Sequence, residues 1–220
     1  MADTAQTSAI VDEILGLAGH LNIPVQRVSR KTLDRQGASH QGVVLEVGRY
    51  PAVSVGDILD RAEQQAEPPF IVIADHIEDP HNLGAILRTA EIVGVHGVII
   101  PKQRAVGITP AVVNASAGAA EHIWIAEVPN LVQVIKQLKQ QDVWVAGVEN
   151  DAAAAFYTEA NLRGAIAVVM GSEGKGMSRL VKETCDFLVK LPMRGQIESL
   201  NASVAVGLIL YEVWRARGFG

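Results

Sequence analysis

The chain has 220 residues, of which 49% are hydrophobic and 20% charged, and a net charge of -5. That content is enough for a packed core of one main domain with a smaller appendage, and the acidic balance excludes a protein that grips nucleic acid by overall positive charge. No apolar run reaches the roughly 18 to 20 residues that cross a bilayer, and Met1-Ala-Asp-Thr-Ala-Gln6 lacks the basic and apolar regions of a signal peptide, so a cytoplasmic location is expected.

Residues 1–65 read as a small α/β unit. Val11, Ile14, Leu15 and Ala18 recur at helical spacing, Val25 to Val28 and Gly42 to Val47 read as short strands, and a helix follows around Asp57 to Gln65. Arg27, Arg30, Lys31 and Arg35, with His40 nearby, form a local basic cluster, either a solvated face or a polynucleotide contact. The run Gln64 to Pro69 ends in paired prolines and marks a boundary, giving domains 1–65 and 66–220. Beyond it, strand-like runs occur at Phe70 to Ala74, Gly97 to Pro101, Ile123 to Val128, Val143 to Val148, Ala165 to Met170 and Phe187 to Leu191. Helical segments between most of them, such as Asn82 to Val93 and Asn130 to Gln141, predict an α/β fold with a parallel sheet covered on both faces. The lone Cys185 allows no internal disulfide and no metal-ligand spacing, and reads as a small buried hydrophobe; no metal is expected.

Ligands of open parallel sheets sit beyond the carboxyl ends of the strands. After Phe70 to Ala74, Leu83, Ile86, Leu87, Ala90 and Val93 make one apolar stripe that leaves Arg88 free, for solvent or for a cleft. Asn82 reads as the helix cap, and Gly84 as a point of close approach by backbone or substrate. After Ala165 to Met170, Gly171-Ser-Glu-Gly-Lys-Gly176 invites a nucleotide reading but fails the phosphate-binding pattern, with Val169 where Gly is required and Gly176 in the Ser/Thr place. Glu173 suits cationic or hydroxyl groups better than phosphate. After Phe187 to Leu191, Ser199, Asn201 and Ser203 head a helix that carries no charge until Glu212. They read as caps of a buried helix or as ligand contacts.

Asn82-x-Gly84-x-x-x-Arg88-x-Ala90, Met170-Gly-Ser-Glu-Gly-Lys-Gly-Met177, and Leu191-Pro-Met193 through Ser199-Leu-Asn201-x-Ser203-x-Ala205 together resemble the three motifs of the SpoU branch of the SPOUT methyltransferases. The resemblance runs from the Pro68-Pro69 boundary nearly to the C-terminus. It implies transfer of a methyl group from S-adenosylmethionine to a ribose 2′-hydroxyl of RNA, with a guanosine of 23S rRNA as the expected target, and tRNA methylation or a catalytically silent RNA-binding or ribosome-assembly role as alternatives. It also implies a C-terminal trefoil knot and a homodimer. Residues 10 to 50 resemble the second half of an L30e-like RNA-binding domain. The family domain begins further upstream, which implies an upstream start or a trimmed domain.

The resemblance gives each residue a role. Gly171, Leu191, Met193, Ser199 and Leu200 are expected to bind the cofactor, and Arg88, Asn82, Glu173 and Asn201 to form the catalytic group. Arg27, Arg30, Lys31 and Arg35 are expected to bind the RNA. Guanidinium groups are costly bases, so the role preferred for Arg88 is a phosphate clamp that also stabilises developing alkoxide.

Overall fold

A computed structural model describes residues 1–3, 8–35, 40–48, 50–197 and 199–219. The chain divides into two compact units, Met1–Tyr50 and Pro51–Gly220. The boundary therefore falls before, not after, the helix expected around Asp57 to Gln65. That helix, α3 below, buries Ile58 and Ala62 completely, and Ile58 belongs to the core of the second unit.

The first unit holds α1 (Ala9–His20), capped by Ser8, and α2 (Arg30–Asp34). The strands expected at Val25 to Val28 and Gly42 to Val47 reduce to a single bridge between Ala2 and Val28. A strand needs a ladder partner for its backbone groups. Among the described residues, 43–48 carry no strand assignment, and Leu45 and Val47 are exposed.

In the second unit, α3 (Val55–Gln64) starts on a reciprocal capping box between Ser54 and Asp57. There follow β1 (Phe70–Ala74), α4 (Pro80–Ile92), β2 (Gly97–Pro101), α5 (Pro110–Ala115), a short 3-10 turn at Ala119–Glu121, β3 (Trp124–Val128) and α6 (Leu131–Gln140). The chain continues through β4 (Trp144–Val148), β5 (Ala155–Phe156), β6 (Ile166–Met170), α7 (Arg179–Thr184), β7 (Phe187–Lys190) and α8 (Ala202–Ala216). The strands make one sheet in the order β3-β2-β1-β6-β4-β7-β5, with every pairing parallel. All of β1 and β6 is buried, as strands covered on both faces must be.

One face packs Ile71, Ile73, Ile99, Val145 and Val169 against Ile58 of α3, Ile135 and Leu138 of α6 and Val181 of α7. The other is covered by α4, α5 and α8, where Leu83, Ile86, Leu87, Ile209 and Leu210 are fully buried. Gly84 serves this second layer: a Cβ there would lie 2.5 Å from Ala115 Cβ and 2.8 Å from the Ala115 carbonyl carbon. The close approach expected of it is thus to the backbone of α5. No helix among the described residues is long and apolar enough to cross a membrane.

Candidate active site

Four strands end side by side along the carboxyl edge of the sheet, in the order β1, β6, β4, β7, and the segments that follow them build a polar side-chain cluster with two adjoining cavities. The β1 segment supplies Asn82. Helix α4 begins earlier than expected, with Asp79 as N-cap accepting from His81 N at 3.1 Å and Pro80 at its first position. Pro is pre-organised for that place, so the cap falls to Asp79 and Asn82 is left inside the first turn. Its side chain, in a residue only 8% exposed, is thereby free for another task.

The β6 segment is the glycine loop. Ser172 and Gly176 exchange backbone hydrogen bonds of 3.1 and 2.9 Å, and Gly176 has φ +66°, where a side chain would be strained. Gly171 lies so close to the returning loop that a Cβ would fall 2.0 Å from the Gly176 carbonyl carbon. This fold of the loop presents Glu173 towards Asn82. At its exit, the fully buried Asp75, directly after β1, accepts from Ser178 N at 2.6 Å and from His76 Nδ1.

The segment after β7 supplies Asn201, the N-cap of α8. Its Oδ1 accepts from Ser203 N at 3.0 Å, Val204 N at 3.4 Å and Ser203 Oγ at 2.6 Å. Its Nδ2 donates to Asn82 Oδ1 at 2.8 Å and to Glu173 Oε2 at 3.3 Å, while Asn82 Nδ2 reaches the same Glu173 oxygen at 3.4 Å. Asn82, Glu173 and Asn201 therefore meet although 91 and 28 residues separate them in sequence. One amide end of Asn201 caps α8 and the other joins the cluster.

Beside the cluster lies a cavity of about 380 Å³, within the range of ligand pockets for small molecules. Gly171, Glu173, Leu191, Met193, Ser199 and Leu200 line it, together with Met170, Val148 and Glu149. A smaller cavity of about 220 Å³ adjoins the cluster on the side of Ile77, Asp79 and Lys175. Arg88, two turns along α4 from Asn82, is exposed and makes no hydrogen bond or ion pair among the described residues.

In the first unit, Arg27, Arg30, Lys31 and Arg35 are all exposed, with Arg30 and Lys31 in the first turn of α2. His40 turns instead to Asp34, at 2.9 Å.

Two side chains at this edge escaped the sequence reading. Asp75 and Glu149 each follow a strand directly, and a carboxylate immediately after an apolar strand was the available signal. Asp151, just beyond Glu149, is held below the ordinary carboxylate range by hydrogen bonds from Lys182 and from Ala153 N. Burial pushes the Cys185 thiol up to about 12, consistent with an inert packing residue. No group of three or more His, Cys, Asp and Glu among the described residues could hold a metal.

The profile of the SpoU rRNA Methylase family matches residues 69–211, and that for RNA 2′-O ribose methyltransferase substrate binding matches residues 4–53. The "Putative TrmH family tRNA/rRNA methyltransferase YacO" of Bacillus subtilis is 50% identical over 207 residues, covering 93% of this chain and 82% of that one. A relative of the same description from Staphylococcus aureus is 46% identical over 209 residues, 94% of this chain and 84% of its own. Among solved structures, the SpoU methyltransferase AviRb from Streptomyces viridochromogenes, in complex with AdoMet, shares the fold at 23% identity with a TM-score of 0.76 over 100% of this chain and 82% of AviRb. The A. aeolicus TrmH/SpoU tRNA modifying enzyme aligns with a TM-score of 0.63 at 26% identity, over 74% of this chain and 85% of its own.

Proposed function

Because the chain belongs to the SpoU methylase family, we propose that it uses S-adenosylmethionine to methylate a ribose 2′-hydroxyl of RNA, with a guanosine of 23S rRNA as the target. The observation that carries this reading is the convergence of Asn82, Glu173 and Asn201 beside a cavity of about 380 Å³ that Glu173 also lines. tRNA is the second reading, favoured by the likeness to the A. aeolicus tRNA modifying enzyme.

The residues present fit the cofactor. Leu191, Met193 and Met170 give an apolar wall for a purine, and Glu149 and Glu173 give carboxylates for hydroxyl and cationic groups. Gly171 keeps the loop backbone close to the cavity. When bound, S-adenosylmethionine supplies an electrophilic methyl group on a positively charged sulfur.

This chain's own residues do the positioning. Asn82, Glu173 and Asn201 hold one another in a fixed geometry, and such a constellation orients an acceptor hydroxyl without reorganising when it arrives. Positioning of this kind supplies roughly 7 to 11 kcal/mol in favourable cases. Arg88, exposed and without a partner among the described residues, clamps a phosphate of the acceptor strand and stabilises the oxygen as negative charge develops on it. Arg27, Arg30, Lys31 and Arg35 bind the RNA backbone, a local positive patch on an acidic protein.

The same reading includes a cytoplasmic homodimer, a C-terminal trefoil knot and an L30e-like first unit. Val204, Leu208 and Tyr211 of α8, with Ile92 of α4, are large apolar residues left exposed, and the three on α8 share one face at i, i+4 and i+7. That face supports association of two copies. The return of the chain from β7 to bring α8 against α4 and β6 supports the knot.

The test is transfer of labelled methyl from S-adenosylmethionine to total RNA, followed by digestion to nucleosides. Label in 2′-O-methylguanosine is expected. Label in a base-methylated nucleoside, or none, would overturn the reading.

A further inference from the structure

Glu149 has no role in the catalytic cluster, and its setting gives it another. It follows β4, which lies between β6 and β7, so along the carboxyl edge Glu149 stands between Glu173 on one side and Leu191 on the other. Neighbouring strands are about 4.8 Å apart. A ligand with its reactive end at Asn82 and its base against Leu191 and Met193 must carry its middle past β4. In an adenosyl cofactor that middle is a ribose with two hydroxyls.

The carboxylate is held ready there. Glu149 N donates to Val189 O at 3.0 Å, and Glu149 O accepts from Asp151 N at 3.0 Å, so the backbone is tied on both sides. Oε2 accepts from Met177 N at 3.2 Å, and the side chain makes no other hydrogen bond among the described residues. Gly176 makes room for it: a Cβ at that position would lie 2.7 and 2.8 Å from the two carboxylate oxygens. Lys190 also lines the cavity, but its Nζ donates to Asp151 O at 3.1 Å and lies over the Phe156 ring. An ionised carboxylate offers about four acceptor positions and no donor. One position is occupied by Met177, and the remainder suit a pair of hydroxyl donors.

We propose that Glu149 is the residue that reads the ribose of the cofactor, its carboxylate accepting hydrogen bonds from the 2′- and 3′-hydroxyls. The proposal rests on the cofactor reading above and adds to it the residue that distinguishes a ribosyl from a deoxyribosyl ligand. A side chain that only braced the glycine loop through Met177 would affect all adenosyl ligands alike.

Calorimetric titration of the full chain with S-adenosylhomocysteine and its 2′-deoxy and 3′-deoxy counterparts tests this, because the uncharged sulfur removes any attraction between Glu149 and a sulfonium. The wild-type protein is expected to bind at least one deoxy ligand about 10- to 100-fold more weakly than the parent, as for loss of a hydrogen bond to a charged group. In Glu149→Ala that ratio is expected to fall to within about threefold of unity. Glu149→Gln keeps an acceptor for Met177 N, guards against a folding defect, and is expected to lie between. A wild-type protein that does not distinguish the ligands, or a ratio unchanged in both variants, overturns the proposal and leaves the cofactor reading standing. Failure of the parent ligand to bind the wild-type protein overturns both.

Discussion

Asn201 offers the sharpest separation of catalysis from folding, because its two amide atoms do different work. Oδ1 caps α8, and Nδ2 joins Asn82 and Glu173. Loss of an N-cap costs about 0.5 to 2 kcal/mol, and loss of a half-exposed neutral hydrogen bond costs about 0.5 to 1.5 kcal/mol. Asn201→Ala removes both, for about 1 to 3.5 kcal/mol. At roughly 2 to 4 °C per kcal/mol in a protein of this size, Tm falls by about 2 to 14 °C. Asn201→Ser retains a capping oxygen and loses only the reach to the cluster, so its Tm falls by at most about 6 °C. Activity follows the other atom. Both variants lose the amide donor, and misplacement of reacting groups by about 1 Å costs on the order of 100-fold. Single-turnover methyl transfer beside thermal melts of the same preparations is the assay. Near-equal loss of rate in the two variants, with unequal loss of Tm, is the expected pattern. If Asn201→Ser transfers methyl at the wild-type rate while Asn201→Ala does not, the residue is a helix cap and the reasoning fails.

Other outcomes follow from the same structure. Arg88→Ala is expected to lose methyl transfer with Tm within about 2 °C of wild type, as for a surface residue without partners, and Arg88→Lys to recover little at raised pH; recovery in a pH-rate profile would instead support a base. Gly84→Ala forces a Cβ into Ala115 and the backbone beyond it, and is expected to cost about 1 to 3 kcal/mol, measured by denaturant titration. Stability is expected to decline as pH falls below about 6.5 because of His96: burial holds its pKa below the ordinary value, and Nδ1 accepts from Phe70 N at 3.0 Å. Below the unfolded value of 6.5 the unfolded chain takes up the proton first, so the decline continues until the folded pKa is passed. His96→Gln should flatten this dependence in denaturation curves at pH 7.5 and 5.5, and an unchanged slope would remove His96 from the account. Leu208→Glu places a charge on the exposed face of α8 and is expected to convert a dimer to a monomer in light scattering; an unchanged mass would exclude that face from the interface.

The sheet was legible because its strands are short, apolar and evenly spaced. Six were located to within a residue at each end, whereas β5, the exposed pair Ala155–Phe156, carries no periodicity. The first unit was harder, because β-like residues such as Leu45 and Val47 carry no strand assignment among the described residues, and pairing is a tertiary fact. Paired prolines marked an end of helix, as they do, but not an end of domain, since Ile58 packs across the stretch they seemed to divide. At the candidate site, glycines and caps pointed to the segments after β1, β6 and β7, which the sheet order brings together. The cap itself was misread, because Asn82 and Asp79 are equally good caps in sequence and Pro80 decides between them. Glu149 went unnoticed because its neighbours in the cavity come from other strands. Only the order β1-β6-β4-β7 brings them to its side.

The central claim is methylation of a ribose in RNA, and its most direct test is a map of 2′-O-methylated nucleotides in RNA from cells with and without the gene. One guanosine of 23S rRNA is expected to lose its 2′-O-methyl group without the gene, and to regain it with the wild-type protein but not with Arg88→Ala. Identical maps in the two strains would contradict it.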